Sequence, residues 1–252
     1  MAILDRSDIS IYYESHGAGP AIILTHGFGA SSTMWAPQLE ALSADHQVII
    51  WDMRGHGRTD SPTAADMYSH AHTVADIAAL LDECDVKDPA VIGGMSLGGY
   101  MTLAFNVVHP DRVRALLLVD TGPGYRNDAA REKWNERAVE RGNRIDMQGL
   151  GALARSPEVM SAGHMATYGI AHAARGMLSQ RDSSAIDSLP GIKVPTMVVV
   201  GADDTAYLGA CAYMADRIPG AEYLVIEDAG HAANMDQPEI FNAAVRGFLE
   251  KL

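Results

Sequence analysis

Ser96 stands between two glycines in the stretch Gly94-Met95-Ser96-Leu97-Gly98. The apolar run 90–92 before it predicts a buried strand, and the apolar spacing after it predicts a helix. A sharp turn from strand to helix needs small residues on either side of its apex, and it exposes the side chain there. We therefore predict that Ser96 is a nucleophile. The alternative is a glycine-rich connection in which Ser96 only caps the helix.

A serine hydroxyl near neutral pH needs a base within hydrogen-bond distance to become an effective nucleophile. In parallel sheets such groups lie in loops at the carboxyl ends of strands. His231 is the only histidine in the loop after the predicted strand 222–226, and we expect it to be the base. His26 follows a strand but lies beside a glycine turn, and His56 lies in another turn. The other histidines are expected on the surface, in helices or in the helical segment described below: His16, His46, His70, His72, His109, His164 and His172.

The base in turn needs a carboxylate that orients it, and three aspartates follow predicted strands. Asp203 and Asp204 come directly after the apolar run 194–200, and Asp120 ends the run 115–119. Asp204 is the preferred acid because two residues after Gly201 allow the chain to turn before the carboxylate is presented. Asp203 and Asp120 remain alternatives.

A serine nucleophile also needs hydrogen-bond donors for the negative oxygen that forms on its substrate. The amide of Leu97 begins the predicted helix and points toward that position. A second donor is expected from the turn His26-Gly27-Phe28-Gly29, whose glycines allow the backbone to approach a ligand closely. The amide of Phe28 is the predicted donor, and a simple glycine turn is the alternative.

The elements that position these residues alternate between apolar strands and amphipathic helices. The strands are continuous apolar runs, which is typical of strands buried on both faces. We therefore predict an α/β fold with a doubly wound, mostly parallel sheet. Predicted strands are a pair within 3–15, then 21–24, 48–51, 90–92, 115–119, 194–200 and 222–226. Predicted helices are 33–43, 70–84, one after Ser96, and 238–252.

Residues 125–190 break this alternation, because they are charged, helical in period and without a convincing strand. We interpret them as a helical cap inserted after the sixth strand of a single domain, 1–252, although a longer covering layer of helices is the alternative. Trp134 is the largest apolar side chain of this segment; it either lines a substrate pocket or pins a helix to the core. Five arginines of the segment either anchor a substrate carboxylate or lie on a solvated helix face. They are Arg126, Arg131, Arg137, Arg141 and Arg144.

Composition limits the partners of the protein. A net charge of −13 over 252 residues disfavours nucleic acid and anionic membranes as partners. No secretory signal or membrane-spanning run is apparent, and Cys84 and Cys211 lack metal-ligand spacing. We therefore expect a cytoplasmic protein with reduced thiols and no metal.

The chain resembles the α/β-hydrolase family over nearly its whole length. The matching stretches are HGFG at 26–29, DMRGHGRTD at 52–60, GMSLGG at 94–99, GADD at 201–204 and DAGHAANMDQPEIFN at 228–242. The order Ser, Asp, His is the order that the family uses. The resemblance implies Ser96, Asp204 and His231 as the catalytic triad, with the amides of Phe28 and Leu97 as the oxyanion hole. Relatives often have proline soon after the acid, whereas this chain continues with Thr-Ala-Tyr-Leu-Gly at 205–209.

Within the family the chain looks most like small carboxylesterases and enol-lactone hydrolases. The resemblance implies cleavage of a carboxylic ester or lactone through an acyl-serine intermediate, without a cofactor. Relatives with the same triad also hydrolyse carbon–carbon bonds of ring-cleavage products, and peracid formation is expected at most as a side activity. A non-catalytic small-molecule receptor is the alternative from another class. The expected partner is a small ester or lactone; the oligomeric state is not predicted.

Overall fold

The computed structural model describes residues 2–252 of the chain, which form one eight-stranded sheet with helices on both faces. Strands β3, β5 and β7 are buried along their whole length, as their continuous apolar sequences predict. The strands are β1 Ala2–Asp5, β2 Ser10–His16, β3 Ala21–Thr25, β4 Gln47–Trp51, β5 Ala90–Met95, β6 Val113–Val119, β7 Thr196–Gly201 and β8 Glu222–Ile226.

The sheet order is β1-β2-β4-β3-β5-β6-β7-β8. Pairings from β4 to β8 are parallel, and the β1–β2 and β2–β4 pairings at one edge are antiparallel. After β3 the chain adds β4 on one side and then crosses to add β5 on the other. Ligand sites of doubly wound sheets lie at the carboxyl ends of strands where the order reverses in this way, and here those ends are the ends of β3 and β5.

Ten α-helices accompany the sheet. They are α1 Ala36–Ser43, α2 His70–Glu83, α3 Leu97–Val108, α4 Asp128–Gln148, α5 Pro157–Met160, α6 Thr167–Met177, α7 Ser184–Ser188, α8 Leu208–Arg217, α9 Ala233–Asp236 and α10 Pro238–Leu249. Alternate strand residues enter two separate cores. Ile23 and Ile92 pack with α2, α3 and α8, whereas Leu24 and Val91 pack with α1, α9 and α10. The predicted doubly wound fold with helices inserted after the sixth strand is confirmed.

Some element boundaries differ from the predictions. The predicted helix 33–43 begins as a 3-10 turn, Ser32–Trp35, before α1. Proline at the second position of α1 is compatible with this start, because the first amides of a helix have no internal acceptor. The last helix ends at Leu249 rather than at 252. Helix α8 was not predicted, because its short apolar face offers only a weak periodic signal.

The long loop after β4 supports the edge of the sheet at the carboxyl ends of the strands through charged contacts. Asp52 accepts hydrogen bonds from the amide of Ser32 at 2.7 Å and from the amide of Arg58 at 2.8 Å. The buried guanidinium of Arg54 binds the buried carboxylate of Asp76 on α2 at 2.7 and 2.8 Å. Removing either partner of such a buried pair leaves an uncompensated charge, so these contacts hold the loop in one arrangement.

Residues 125–190 contain α4 to α7 and, as predicted, no strand. Helices α4 and α6 pack together through a small apolar core that includes Ile145 and Ile170. Phe28 and Leu178 pack against this core, so the helical segment contacts the loop that follows β3. Its assignment as a cap with the bounds 125–190 remains a prediction. No helix within residues 2–252 combines the length and apolar character needed to cross a membrane.

Candidate active site

Ser96 lies at the apex of the turn between β5 and α3 in a conformation that L-residues rarely adopt. Its φ is 54° and its ψ is −115°. A β-carbon on Gly94 would lie 2.3 Å from the backbone of Gly98, and one on Gly98 would lie 2.1 Å from the carbonyl oxygen of Thr25. Both glycines are therefore required by close backbone contacts, as the sequence spacing predicted.

Two hydrogen bonds, one with β6 and one with the loop that follows it, hold this strained turn. The amide of Ser96 donates to the carbonyl of Val119 at 2.9 Å, and its carbonyl accepts from Thr121 Oγ1 at 2.6 Å. Ser96 is the one residue between Val91 and Tyr100 that is not fully buried. The turn thus presents its hydroxyl at the surface of a cavity.

His231 lies between β8 and α9, and its two ring nitrogens contact two different predicted site residues. Nε2 lies 3.0 Å from Ser96 Oγ, and Nδ1 lies 2.7 Å from Asp204 Oδ2. Asp204 follows β7 in a turn that its own amide closes by donating to the carbonyl of Gly201 at 3.1 Å. Its side chain is buried, which shields the contact with His231 from water. The structure therefore brings Ser96, His231 and Asp204 into one hydrogen-bonded chain.

The other two candidate acids have different surroundings. Asp203 is exposed, and its amide donates to the carbonyl of Ala229. Asp120 is fully buried, and its two carboxyl oxygens accept from the amides of Gly201 at 2.8 Å and Ala233 at 3.0 Å. Burial raises the pKa of Asp120 to about 6, although both amide bonds oppose the shift. Asp120 thus ties the end of β7 to α9, and the carboxylate bonded to His231 is that of Asp204.

The pKa of His231 is raised above its ordinary value. Burial by itself lowers this pKa, because it disfavours the imidazolium, but the hydrogen bond and negative charge of Asp204 outweigh that effect. Stabilisation of the imidazolium is the property required of a base that takes a proton from a hydroxyl and holds it transiently.

Tyr207 is a site residue that the sequence analysis missed. Its ring stacks on the ring of His231, with centroids 4.9 Å apart and an interplanar angle of 23°. Burial raises the pKa of the Tyr207 phenol despite the opposing hydrogen-bond influence of Ser96, so the hydroxyl stays protonated. Its position in the sequence could have indicated this role, because Tyr207 lies three residues after Asp204, in the segment 205–209 where relatives often have proline.

The loop after β3 lies against Ser96. A β-carbon on Gly27 would come within 3.4 Å of Ser96 Cβ. His26 Nε2 accepts from the amide of Met53 at 3.0 Å, so its Nδ1–H donates to the carbonyl of Gly27 at 2.7 Å. That carbonyl belongs to the same peptide group as the Phe28 amide and therefore sets the direction of its N–H. Within residues 2–252 the Phe28 N–H has no hydrogen-bond acceptor.

Two further histidines support the same loop in neutral form. His164, from the helical segment, lies 2.9 Å from the carbonyl of Gly29 and accepts from the amide of Gly57 at 3.1 Å. Burial lowers the pKa of His164, lowers that of His26 to about 4, and holds that of His56 well below its usual value. The rings of His26 and His164 both pack on His56. These side chains therefore position backbone without adding charge.

A cavity of about 330 Å³ opens beside Ser96, between the sheet and α4. Trp134 on α4 lines it, and its indole N–H donates to the carbonyl of Leu178 at 2.7 Å. The cavity wall consists of Ser96, Leu97, Tyr100, Thr121, Gly122, Pro123, Gly124, Tyr125, Trp134, Arg137, Met177, Leu178, Gln180, Ala206, Tyr207 and Ala210. Within residues 2–252 no group of three or more His, Cys, Asp or Glu side chains is arranged to hold a metal ion.

Comparisons with known proteins identify hydrolases of similar sequence and fold. A thermophilic esterase from Thermogutta terrifontis, solved with malate bound, is 32% identical, with a TM-score of 0.80 over 96% of this chain and 94% of that one. The enol-lactonase from Burkholderia xenovorans LB400 is 26% identical, with a TM-score of 0.84 over 99% and 100% of the two chains. A protein of Azorhizobium caulinodans with the provisional name carbamate hydrolase RutD is 29% identical over 96% of this chain and 95% of its own. A family model described as "Alpha/beta hydrolase family" matches residues 22–244, and the chain therefore belongs to the α/β hydrolase family.

Proposed function

We propose that this protein is a serine hydrolase that cleaves a carboxylic ester or lactone through an acyl-serine intermediate. The observation that carries the proposal is the hydrogen-bonded chain from Ser96 Oγ through His231 to Asp204, with separations of 3.0 and 2.7 Å. Ser96, at one end of this hydrogen-bonded series, lines a cavity large enough for a small substrate. The esterase and enol-lactonase among the similar structures support the same chemistry.

The first half-reaction forms the acyl-enzyme. Ser96 Oγ bonds to the substrate carbonyl carbon while His231 Nε2 accepts the hydroxyl proton. The carbonyl oxygen gains the negative charge, and the amides of Phe28 and Leu97 donate to it. His231 then returns the proton to the leaving alcohol oxygen as the ester C–O bond breaks.

The second half-reaction releases the acid. A water molecule gives a proton to His231 Nε2 and bonds to the acyl carbon. The Ser96 Oγ–acyl bond then breaks, and His231 returns that proton to Ser96 Oγ. The Asp204 carboxylate holds the Nδ1–H tautomer and stabilises the imidazolium that forms twice per cycle.

The same groups act on any carbonyl that carries a suitable leaving group. The Azorhizobium caulinodans relative favours carbamates as a second substrate class. Carbon–carbon bond hydrolysis and ligand reception without turnover remain the other hypotheses, and each predicts a different result with the same substrate set.

The test is turnover of a substrate panel by purified protein and by Ser96→Ala. The panel contains short and long acyl esters, neutral and acidic lactones, a carbamate and a ring-cleavage diketone. We expect ester or lactone hydrolysis that Ser96→Ala lowers by several orders of magnitude, while the exposed-serine control Ser184→Ala retains it. Binding without turnover across the panel would instead indicate a receptor, and turnover of the diketone alone would indicate a carbon–carbon hydrolase.

A further inference from the structure

Helix α4, which lines the cavity, carries most of its acidic side chains on a face outside the cavity. Four acidic residues recur at intervals of four and line an outer groove, which Arg131 and Arg181 also line. They are Asp128, Glu132, Glu136 and Glu140. Residues three or four apart share one face of a helix, so these carboxylates form a continuous acidic strip.

A basic stripe lies beside that acidic strip, in the order Trp134, Arg137, Arg141 and Arg144 along the helix. Trp134 and Arg137 both line the cavity that contains Ser96. Among residues 2–252, Arg137 is the only charged residue in the cavity wall. One positive charge of α4 therefore lies in the wall of the cavity that contains the candidate nucleophile, and the four acidic residues lie outside that wall.

The arginines of this stripe lack anionic partners. Within residues 2–252, no carboxylate lies within 4.0 Å of the guanidinium of Arg137 or Arg141, although the chain carries 32 acidic residues and only 19 basic ones. Arg141 instead lies over the ring of Phe28, with 5.6 Å from its Cζ to the ring centroid. That distance is in the range of a cation–π contact.

Like charges at this spacing on a helix repel one another, and the repulsion is not relieved by any pairing along the stripe. Desolvation lowers the pKa of Arg141, and the nearby charge of Arg144 lowers it further. A bound anion would offset the repulsion between these guanidinium groups. A carboxylate is the natural occupant, because the planar guanidinium offers it two parallel hydrogen bonds.

On this basis, and resting on the proposed hydrolase function, we propose that Arg137 binds a carboxylate on the substrate, with Arg141 adding positive potential. The substrate class is then a small ester or lactone that bears a second, free carboxylate. The net charge of −13 repels anions in general, so the basic stripe creates a local attraction where the reaction takes place.

The test compares two substrates of nearly identical shape: the monomethyl ester of glutaric acid and the methyl ester of glutaramic acid, in which a carboxamide replaces the carboxylate. The readout is the ratio of their kcat/KM values. Arg137→Gln should lower the ratio of anionic to neutral substrate about tenfold or more, since only the anion loses a charge-assisted contact. Arg141→Gln should lower it by less.

Lys133→Gln is the matched control, because it removes one positive charge from the same helix at an exposed position outside the cavity wall. It should leave the ratio unchanged. An unchanged ratio in Arg137→Gln, or an equal fall in Lys133→Gln, would overturn the proposal. The first result would show that Arg137 does not contact the anion, and the second would show that only the overall charge matters.

A binding measurement tests the anion site independently of the proposed hydrolase function. Calorimetric titration of Ser96→Ala with the same two methyl esters needs no turnover. If the wild-type protein hydrolyses no substrate, and the anionic ester nevertheless binds more tightly than the neutral ester in an Arg137-dependent way, the anion site is supported while the hydrolase proposal fails. If the protein hydrolyses neutral esters, but neither ligand binding nor the ratio of kcat/KM values depends on Arg137, the anion site is refuted while the hydrolase proposal stands.

Discussion

The ring of Tyr207 stacks on the imidazole of His231, with centroids 4.9 Å apart and planes inclined by 23°. Asp204 holds the same imidazole in its plane through a hydrogen bond of 2.7 Å to Nδ1. One loop, the turn after β7, therefore restrains the histidine in two perpendicular directions. Ring contacts of this kind are favourable and cover the face of the imidazole from water.

Tyr207→Ala should lower kcat/KM for neutral esters about three- to tenfold, because a stacked aromatic pair contributes about 0.5–1.5 kcal/mol. Tyr207→Phe preserves the ring and should retain most of the activity. Steady-state kinetics of the two variants on one ester measures the difference. A loss in Tyr207→Phe as large as that in Tyr207→Ala would assign the effect to the hydroxyl near Ser96 rather than to stacking.

Asp204→Asn should lower kcat by about 10³- to 10⁴-fold, because an amide no longer selects the correct tautomer of His231 or stabilises its imidazolium. Asp203→Asn, one residue away and exposed, is the control and should change kcat little. Turnover of the same ester by both variants shows which of the two aspartates is the acid. A large loss of kcat in Asp203→Asn, with kcat retained in Asp204→Asn, would refute the assignment of the acid.

Asp120→Asn should act on stability instead of catalysis. An asparagine has a single acceptor oxygen, so one of the amides of Gly201 and Ala233 is left unpaired at a cost of about 1–3 kcal/mol. We expect a lower Tm with kcat within a few-fold of wild type when assayed well below it. A loss of kcat without a loss of Tm would show that Asp120 takes part in the reaction.

The same substitution has a pH signature. The pKa of Asp120 is raised by burial to about 6 in the folded protein, so its stabilising contribution is present below its ordinary pKa and disappears as the pH rises through about 6. The Tm difference between wild type and Asp120→Asn should therefore be larger at pH 4.5 than at pH 7.5. Thermal melts of both proteins at the two pH values measure it, and a difference that grows with pH would contradict the raised pKa.

The activity of the wild-type protein should increase with pH through one ionisation, since only neutral His231 accepts the proton of Ser96. Because Asp204 raises the pKa of His231, the midpoint of kcat/KM should lie above the usual histidine value of about 6.5. In Asp204→Asn burial acts without the opposing charge, so the midpoint of the residual activity should fall. A midpoint that is the same in wild type and Asp204→Asn would show that this ionisation belongs to another group.

Trp134→Ala tests the wall of the cavity. The indole contributes to the wall and also donates a hydrogen bond to Leu178, so the substitution should increase kcat/KM for bulky acyl esters relative to short ones and lower the Tm. Trp134→Phe keeps an aromatic wall and should change the selectivity less. Equal losses for all esters, together with a lower Tm, would show that Trp134 acts only in packing.

The sequence by itself determined which segments form the sheet and the identity of two of the three hydrogen-bonded residues. Continuous apolar runs identify buried parallel strands, and the glycine spacing around Ser96 favours a sharp turn from strand to helix. His231 follows from its place in the last strand-end loop. These features are local, so they are readable along the chain without knowledge of which strands are neighbours.

Only the tertiary structure decided which carboxylate contacts His231. Asp120, Asp203 and Asp204 all follow strands, and their side-chain directions depend on turns that are closed by neighbouring elements. Asp120 is turned toward the amides of Gly201 and Ala233, more than eighty residues away in sequence. Such contacts join distant segments, which no local pattern encodes.

The same reason explains the stacking of Tyr207 and the basic stripe of α4. Helical periodicity places Arg137 and Arg141 on one face, but it does not indicate whether that face meets solvent, an acidic surface or a cavity. The packing of α4 determines this, because it places Trp134 and Arg137 in the wall of the cavity that contains Ser96, while the acidic strip lines an outer groove. Sequence pattern therefore determined the elements and the candidate chemistry, whereas long-range packing determined which side chains meet and which charges stay unpaired.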